Sequence, residues 1–164
     1  MSGTRLLFAF AVLIAAYEII YFYPIMPSPM AVHFNAAGAA DGWGPKNYFF
    51  ITIGGVIALL TIMFAGISLL IRILPDSLIN LPNKDYWFAP ERRTQTLQRL
   101  TGQLLFIGAI TLLLLDGVLY LSCMANIPPA SSMPAEILWG MLGSFFTVNI
   151  IWTVIMIRSY LRTG

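Results

Sequence analysis

The chain has 164 residues, 59% hydrophobic and only 10% charged, with a formal charge of +2. Soluble domains carry roughly 45–50% apolar and about 25% charged residues, so this chain lacks the polar side chains to cover a water-exposed core, and its mean hydropathy of +0.81 agrees. One cysteine (Cys123) excludes an internal disulfide or a multi-cysteine metal site, and one histidine (His33) excludes every paired-histidine motif.

The composition predicts an all-α integral membrane protein in which residues 1–164 form a single four-helix domain. Stretches of about 20 apolar residues with few charges read as membrane spans, and they fall at about 5–23, 47–72, 101–125 and 137–159. An external loop, 24–46, and a cytoplasmic connection, 73–100, separate the first three. The first span carries Glu18 and has Arg5 before it. A cleaved signal peptide is the competing reading there. A carboxylate near the end of the apolar run, followed by Tyr21 and Tyr23, fits cleavage poorly, so a retained helix is expected.

The external loop is rich in proline and glycine. Pro24 and Pro27 favour extended backbone and limit continuation of the helix, while Asp41-Gly42 and Trp43-Gly44-Pro45 are turn signals. His33, Asn35, Asp41 and Lys46 supply its polar chemistry. A histidine here can brace the loop, contact a partner, or join a metal site with Asp41 and an intramembrane carboxylate; bracing is the expected use, and no metal, cofactor or catalytic set is expected. Trp43 suits an interfacial anchor. Together, Pro24, Pro27, His33-Phe34-Asn35, Gly38, Asp41-Gly42-Trp43 and Lys46 resemble the signature of SdpI-like membrane proteins and the domain of unknown function at their first helix and external loop. That resemblance covers roughly residues 10–60, and Ala39-Ala40 departs from the usual proline before the aspartate. It implies a multi-spanning topology with an important external loop and, through the best-known member of the family, a role in immunity to a secreted toxin and in signalling.

In the connection, Pro90 is suited to a helix start and Glu91 to its first turn, so the segment from Glu91 to Leu100 can run directly into the third span. Tyr86-Trp87-Phe88 reads as lying at the bilayer surface. The string Asn80 to Arg93 resembles one in small relatives of the same family, which implies one architecture for the whole chain. Trp87, Glu91, Arg92 and Arg93 are candidates for headgroup contact, topology or docking of a partner. Nucleic acid is not expected, because Asp76, Asp85 and Glu91 offset the basic residues there.

With the N-terminus inside, Arg5, Arg72, Lys84, Arg92, Arg93, Arg99, Arg158 and Arg162 are cytoplasmic and only Lys46, of nine basic residues, lies outside. That bias predicts cytoplasmic N- and C-termini. The third span contains Asp116, and opposite helix directions then put Glu18 and Asp116 in the same outer half of the membrane. Asn149, mid-way along the fourth span, is positioned to donate toward them. Such a cluster can fix helix packing, form a binding site reached from outside, or pass protons; the mainly aliphatic inner half argues against a complete proton path.

The expected function is therefore recognition of a peptide or protein partner, without catalysis, through the external loop and the outer polar pocket. The partners expected are the lipid bilayer and a secreted peptide or a membrane protein complex. An accessory subunit of a larger complex is the alternative, with a proton-coupled transporter behind it. The expected location is a bacterial inner or plasma membrane.

Overall fold

A computed structural model describes residues 2–128 and 132–162. Helix α1 (Ser2–Ile25) leads into a hairpin of β1 (Met30–Phe34) and β2 (Ala40–Gly44), followed by α2 (Lys46–Leu70), a 3-10 turn (Asp76–Leu78), a short α3 (Lys84–Trp87), α4 (Pro90–Met124) and α5 (Ala135–Leu161). The four long helices are each long and apolar enough to cross a membrane. The chain is thus a multi-pass, all-α membrane protein with one small β-hairpin inserted.

Two boundaries differ from expectation for identifiable reasons. Pro24 lies inside the last turn of α1 rather than ending it. A proline in the last turn forgoes only the bond to the Ile20 carbonyl, while Lys46 Nζ donates to the carbonyls of Tyr23 (3.1 Å) and Met26 (3.2 Å), which the helix end leaves without a partner in the helix. The third span starts at Pro90, not 101, as one unbroken helix of 35 residues. Residues 90–100 of the connection belong to it. At 1.5 Å per residue it is about 52 Å long, well beyond a hydrocarbon core of about 30 Å.

Helix α1 shares its most extensive interface with α4, and α2 also packs on both. Ala11, Ala15 and Ala109 are fully or almost fully buried where α1 meets α4, with Phe8, Ile57, Phe64, Leu105 and Leu112 filling the remainder. Small residues at such a crossing let backbones approach, and dispersion between them drives helix association in lipid. Gly108 is part of this contact. A Cβ there would sit 2.7 Å from Phe64 Cγ and 2.9 Å from Phe8 Cε2, so only glycine fits without displacement. Helix α5 rests on α4, and Tyr160 is its only buried residue.

Because successive long helices run in opposite directions, Arg5, Arg72, Lys84, Arg92, Arg93, Arg99, Arg158 and Arg162 gather at one end of the bundle, here the basic end. There, α3 latches onto the end of α5. Asn83 Nδ2 donates to the carbonyls of Tyr160 (3.1 Å) and Leu161 (3.0 Å), and Trp87 Nε1 donates to Tyr160 O at 2.9 Å. The Tyr160 hydroxyl donates to Gln103 Oε1 at 2.8 Å. These donors satisfy carbonyls that a helix terminus otherwise leaves orphaned.

Candidate functional site

The hairpin closes the other end. Its strands pair antiparallel with Met30 opposite Gly44, Ala31 opposite Trp43, His33 opposite Gly42 and Phe34 opposite Ala40, with irregular register around His33. Asn35 builds the turn. Its side-chain Oδ1 accepts from Ala37 N (3.0 Å) and Ala39 N (3.1 Å), and its carbonyl accepts from Gly38 N at 2.8 Å. Gly38 has φ +82°, and a side chain on it would collide with the Met133 carbonyl oxygen. His33 Nδ1 pairs with Asp41 Oδ1 across the strands, on the exposed face.

Asn126, just beyond α4, docks the hairpin on the bundle. Its side chain behaves like a third strand: Oδ1 accepts from Ala31 N at 2.7 Å, and Nδ2 donates to Ala31 O at 2.9 Å. Met133 N donates to Gly38 O at 2.8 Å, and Trp139 Nε1 donates to Ala36 O at 3.1 Å. Below, Met30 is buried against Phe22, Met26, Phe50, Leu119 and Cys123. The external loop is therefore a rigid cap and not a tether.

Under this cap lie the two intramembrane carboxylates. Glu18 is 9% exposed and Asp116 is 3% exposed. They stand on α1 and α4, the two helices that share the most extensive interface. Glu18 Oε2 and both carboxylate oxygens of Asp116 are buried without a hydrogen-bond partner. A buried polar atom without a partner costs about 1–3 kcal/mol, more when charged. Glu18 lines an open cleft of about 510 Å³ between α1 and α4, walled by Tyr17, Tyr21, Phe22, Tyr120 and Met124. Tyr17 and Tyr21 stack with centroids 5.8 Å apart, and Phe22 meets Tyr120 edge-on at 5.9 Å. A carboxylate in a tyrosine-walled cleft can accept a donor and receive a cation against ring faces.

Asn149 does not join the pair. Its amide donates to Phe145 O, one turn back in α5, at 2.9 Å, because a mid-helix amide finds its own helix's carbonyl nearer than a neighbouring helix. Of the loop residues, His33, Asn35, Asp41 and Lys46 are engaged within the cap, Pro24 and Pro27 lie exposed near the end of α1, and Trp43 is left 64% exposed. His33 and Asp41 acquire no third ligand: no group of three His, Cys, Asp or Glu side chains able to hold a metal exists among the described residues.

At the basic end, Trp87 turns inward on α5 instead of lying free on the surface. Arg93 is paired with Asp76 (3.0 Å), and Arg92 lies 4.1 Å from the Tyr86 ring centroid. Glu91 is exposed in the first turn of α4.

Tyr17, Tyr120 and Asn126 escape a reading of the sequence for charges. Helical spacing marks part of the cleft: Tyr21 lies three residues beyond Glu18, and Tyr120 four beyond Asp116, one turn outward on the same faces. Asn126 has no such signal, since an asparagine after a helix is an ordinary turn residue.

Residues 7–59 match the family described as a domain of unknown function, DUF1648. The matched segment runs along α1, through the hairpin and into α2, and so includes Glu18, Pro24, Pro27, His33, Asn35, Asp41, Trp43 and Lys46 but not Asp116 or Asn126. No curated protein and no solved structure matches the chain.

Proposed function

We propose that the protein recognises a peptide or protein partner, without catalysis, at its hairpin end, and that the partner places a basic or hydrogen-bond-donating group against Glu18. The observation that carries this reading is the unpartnered, nine-tenths-buried carboxyl of Glu18 opening onto the tyrosine-walled cleft. Asp116 behind it adds a second acceptor with no donor of its own. A purely structural polar pair would be stabilised by donors from the bundle, and neither oxygen of Asp116 has one. The braced hairpin offers Trp43 above as an amphipathic contact of the kind that anchors interfaces.

The resemblance to SdpI-like proteins supports placement in a bacterial inner or plasma membrane, with basic ends in the cytoplasm, and a function in immunity or signalling. An accessory role within a larger membrane complex is the second reading. It is favoured by α5, which packs along its length mainly on α4 and leaves a largely exposed apolar stretch.

Site-specific photo-crosslinking in the native membrane tests the first reading. A photoreactive residue at Tyr17 or Trp43 should form a discrete protein or peptide adduct that Glu18→Gln abolishes, while the same probe at Ile155 on α5 should not. An adduct from Ile155 alone favours the accessory role. Lipid adducts only, from all three positions, would sink both. Immunity is addressed separately: a deletion strain should become sensitive to a secreted peptide, and Glu18→Gln should fail to restore protection although inserted normally.

A further inference from the structure

At the basic end, three guanidinium groups from three different helical segments face one cleft of about 290 Å³: Arg5 of α1, Arg72 just past α2, and Arg93 of α4, beside Thr94 and Leu97. Arg93 is held by Asp76, with Nε 3.1 Å from each carboxylate oxygen, so its charge is locally compensated. The guanidinium groups of Arg5 and Arg72 have neither a hydrogen bond nor an ion pair among the described residues. Two uncompensated cations sharing a cleft attract an anion, and the planar fork of arginine matches the oxygens of a phosphate.

The cleft does not end at the arginines. An adjoining groove of about 350 Å³ shares Arg5 and Arg72 and continues past Phe8, Ala65, Leu69 and Leu105. Each helix changes character in the same direction. On α1, Arg5 is followed one turn deeper by Phe8. On α2, Leu69 and Ala65 precede Arg72. On α4, Arg93, Leu97, Thr101 and Leu105 succeed one another at four-residue steps along one face. A soluble anion would use only the charged part of this surface. A ligand with a phosphate joined to a hydrocarbon chain uses all of it, and basic pockets between membrane helices are suited to anionic headgroups.

We propose that this cleft binds an anionic phospholipid, its phosphate among Arg5, Arg72 and Arg93 and one acyl chain in the groove toward Leu105. The site is independent of the recognition cleft at the opposite end.

The experiment uses the full chain, purified in a neutral detergent and stripped of lipid, and counts bound lipid by native mass spectrometry. Phosphatidylglycerol and phosphatidylcholine are titrated separately, with inorganic phosphate as a competing arm. Phosphatidylglycerol should bind in preference to phosphatidylcholine. The double change Arg5→Gln with Arg72→Gln should weaken it on the order of 30-fold. Arg5→Lys with Arg72→Lys should keep binding within about tenfold of the original, since charge remains and only the fork is lost. Arg158→Gln with Arg162→Gln, basic residues outside the cleft, should change nothing. Ala65→Phe fills the groove while leaving every charge, and should also weaken binding; it carries the test if the glutamine pair does not fold. Equal binding of the two lipids, equal loss in the Arg158/Arg162 control, or displacement of phosphatidylglycerol by inorganic phosphate at comparable concentration would overturn the proposal, the last by assigning the arginines to a soluble anion.

Discussion

Replacing Asp116 by alanine should make the protein more stable while removing its ability to bind a partner. Both carboxylate oxygens are buried without a donor, and the residue is 3% exposed. Relief of that unsatisfied group is worth about 1–3 kcal/mol, and alanine adds up to about 0.7 kcal/mol of helix propensity over aspartate. Against this stands the hole left behind. A void of about 30 Å³, one water's share of the liquid, costs about 0.7 kcal/mol at about 24 cal/mol per Å³. The two smaller contributions nearly cancel, leaving a gain of about 1–3 kcal/mol. For a chain of this size that raises Tm by roughly 2–12 °C, readable by tryptophan fluorescence during heating in mild detergent. Asp116→Asn keeps the polar atoms and should gain little. The adduct from a probe at Tyr17 should disappear in both variants. A Tm that falls by several degrees in both would mean that the carboxyl is tied to a donor within the bundle, and the recognition reading of this pair would go with it.

Three further outcomes follow from the packing. Gly108→Ala forces a Cβ to within 3.0 Å of Phe64 and Phe8; overpacking of about 1–3 kcal/mol should exceed the helix-propensity gain of about 1 kcal/mol, lowering Tm, whereas Gly55→Ala, with open space around it, should not lower it. Asn126→Ala strips both hydrogen bonds from Ala31, so amide exchange across Met30–Phe34 should accelerate about tenfold or more, with helix α1 unaffected; unchanged protection would show that Met30 packing alone docks the hairpin. Tyr160→Phe leaves the buried Gln103 side chain without its donor and should cost about 1–2 kcal/mol in thermal unfolding, a loss that a neutral result would contradict.

The four spans were legible because membrane solvent imposes length and composition locally, residue by residue. Pro90 followed by Glu91 even announces the true start of α4, although a hydropathy threshold places the span at 101. The hairpin was not legible. Met30–Phe34 is short and irregular in register, and its docking depends on Asn126 and Met133, more than ninety residues away in sequence. Pro24 misleads for a related reason: the helix runs one turn around it and its terminal carbonyls, at Tyr23 and Met26, are capped by Lys46 from the next element. Counting from the helix ends put Glu18 and Asp116 in one half of the membrane, and the structure leaves both buried with oxygens that lack a donor. The same count gave Asn149 a place near them, but depth says nothing about which way a helix is rotated, and its amide turned back onto α5.

Helix α4 is one unbroken rod, and its close contact with α1 and α2 at Gly108 lies near the middle. Gly108 is 18 residues from Pro90 (108 − 90) and 16 from Met124 (124 − 108), about 27 and 24 Å along the axis. Pressed between Phe8 and Phe64, that point is a fulcrum with nearly equal arms. Tilting the rod there moves its two ends by similar distances in opposite senses. The hairpin is fastened just past one end by Asn126, and Asp76 and Trp87 grip the other through Arg93 and Thr96. The two ends of one continuous helix thus carry the cap on one side and the latch of the basic end on the other.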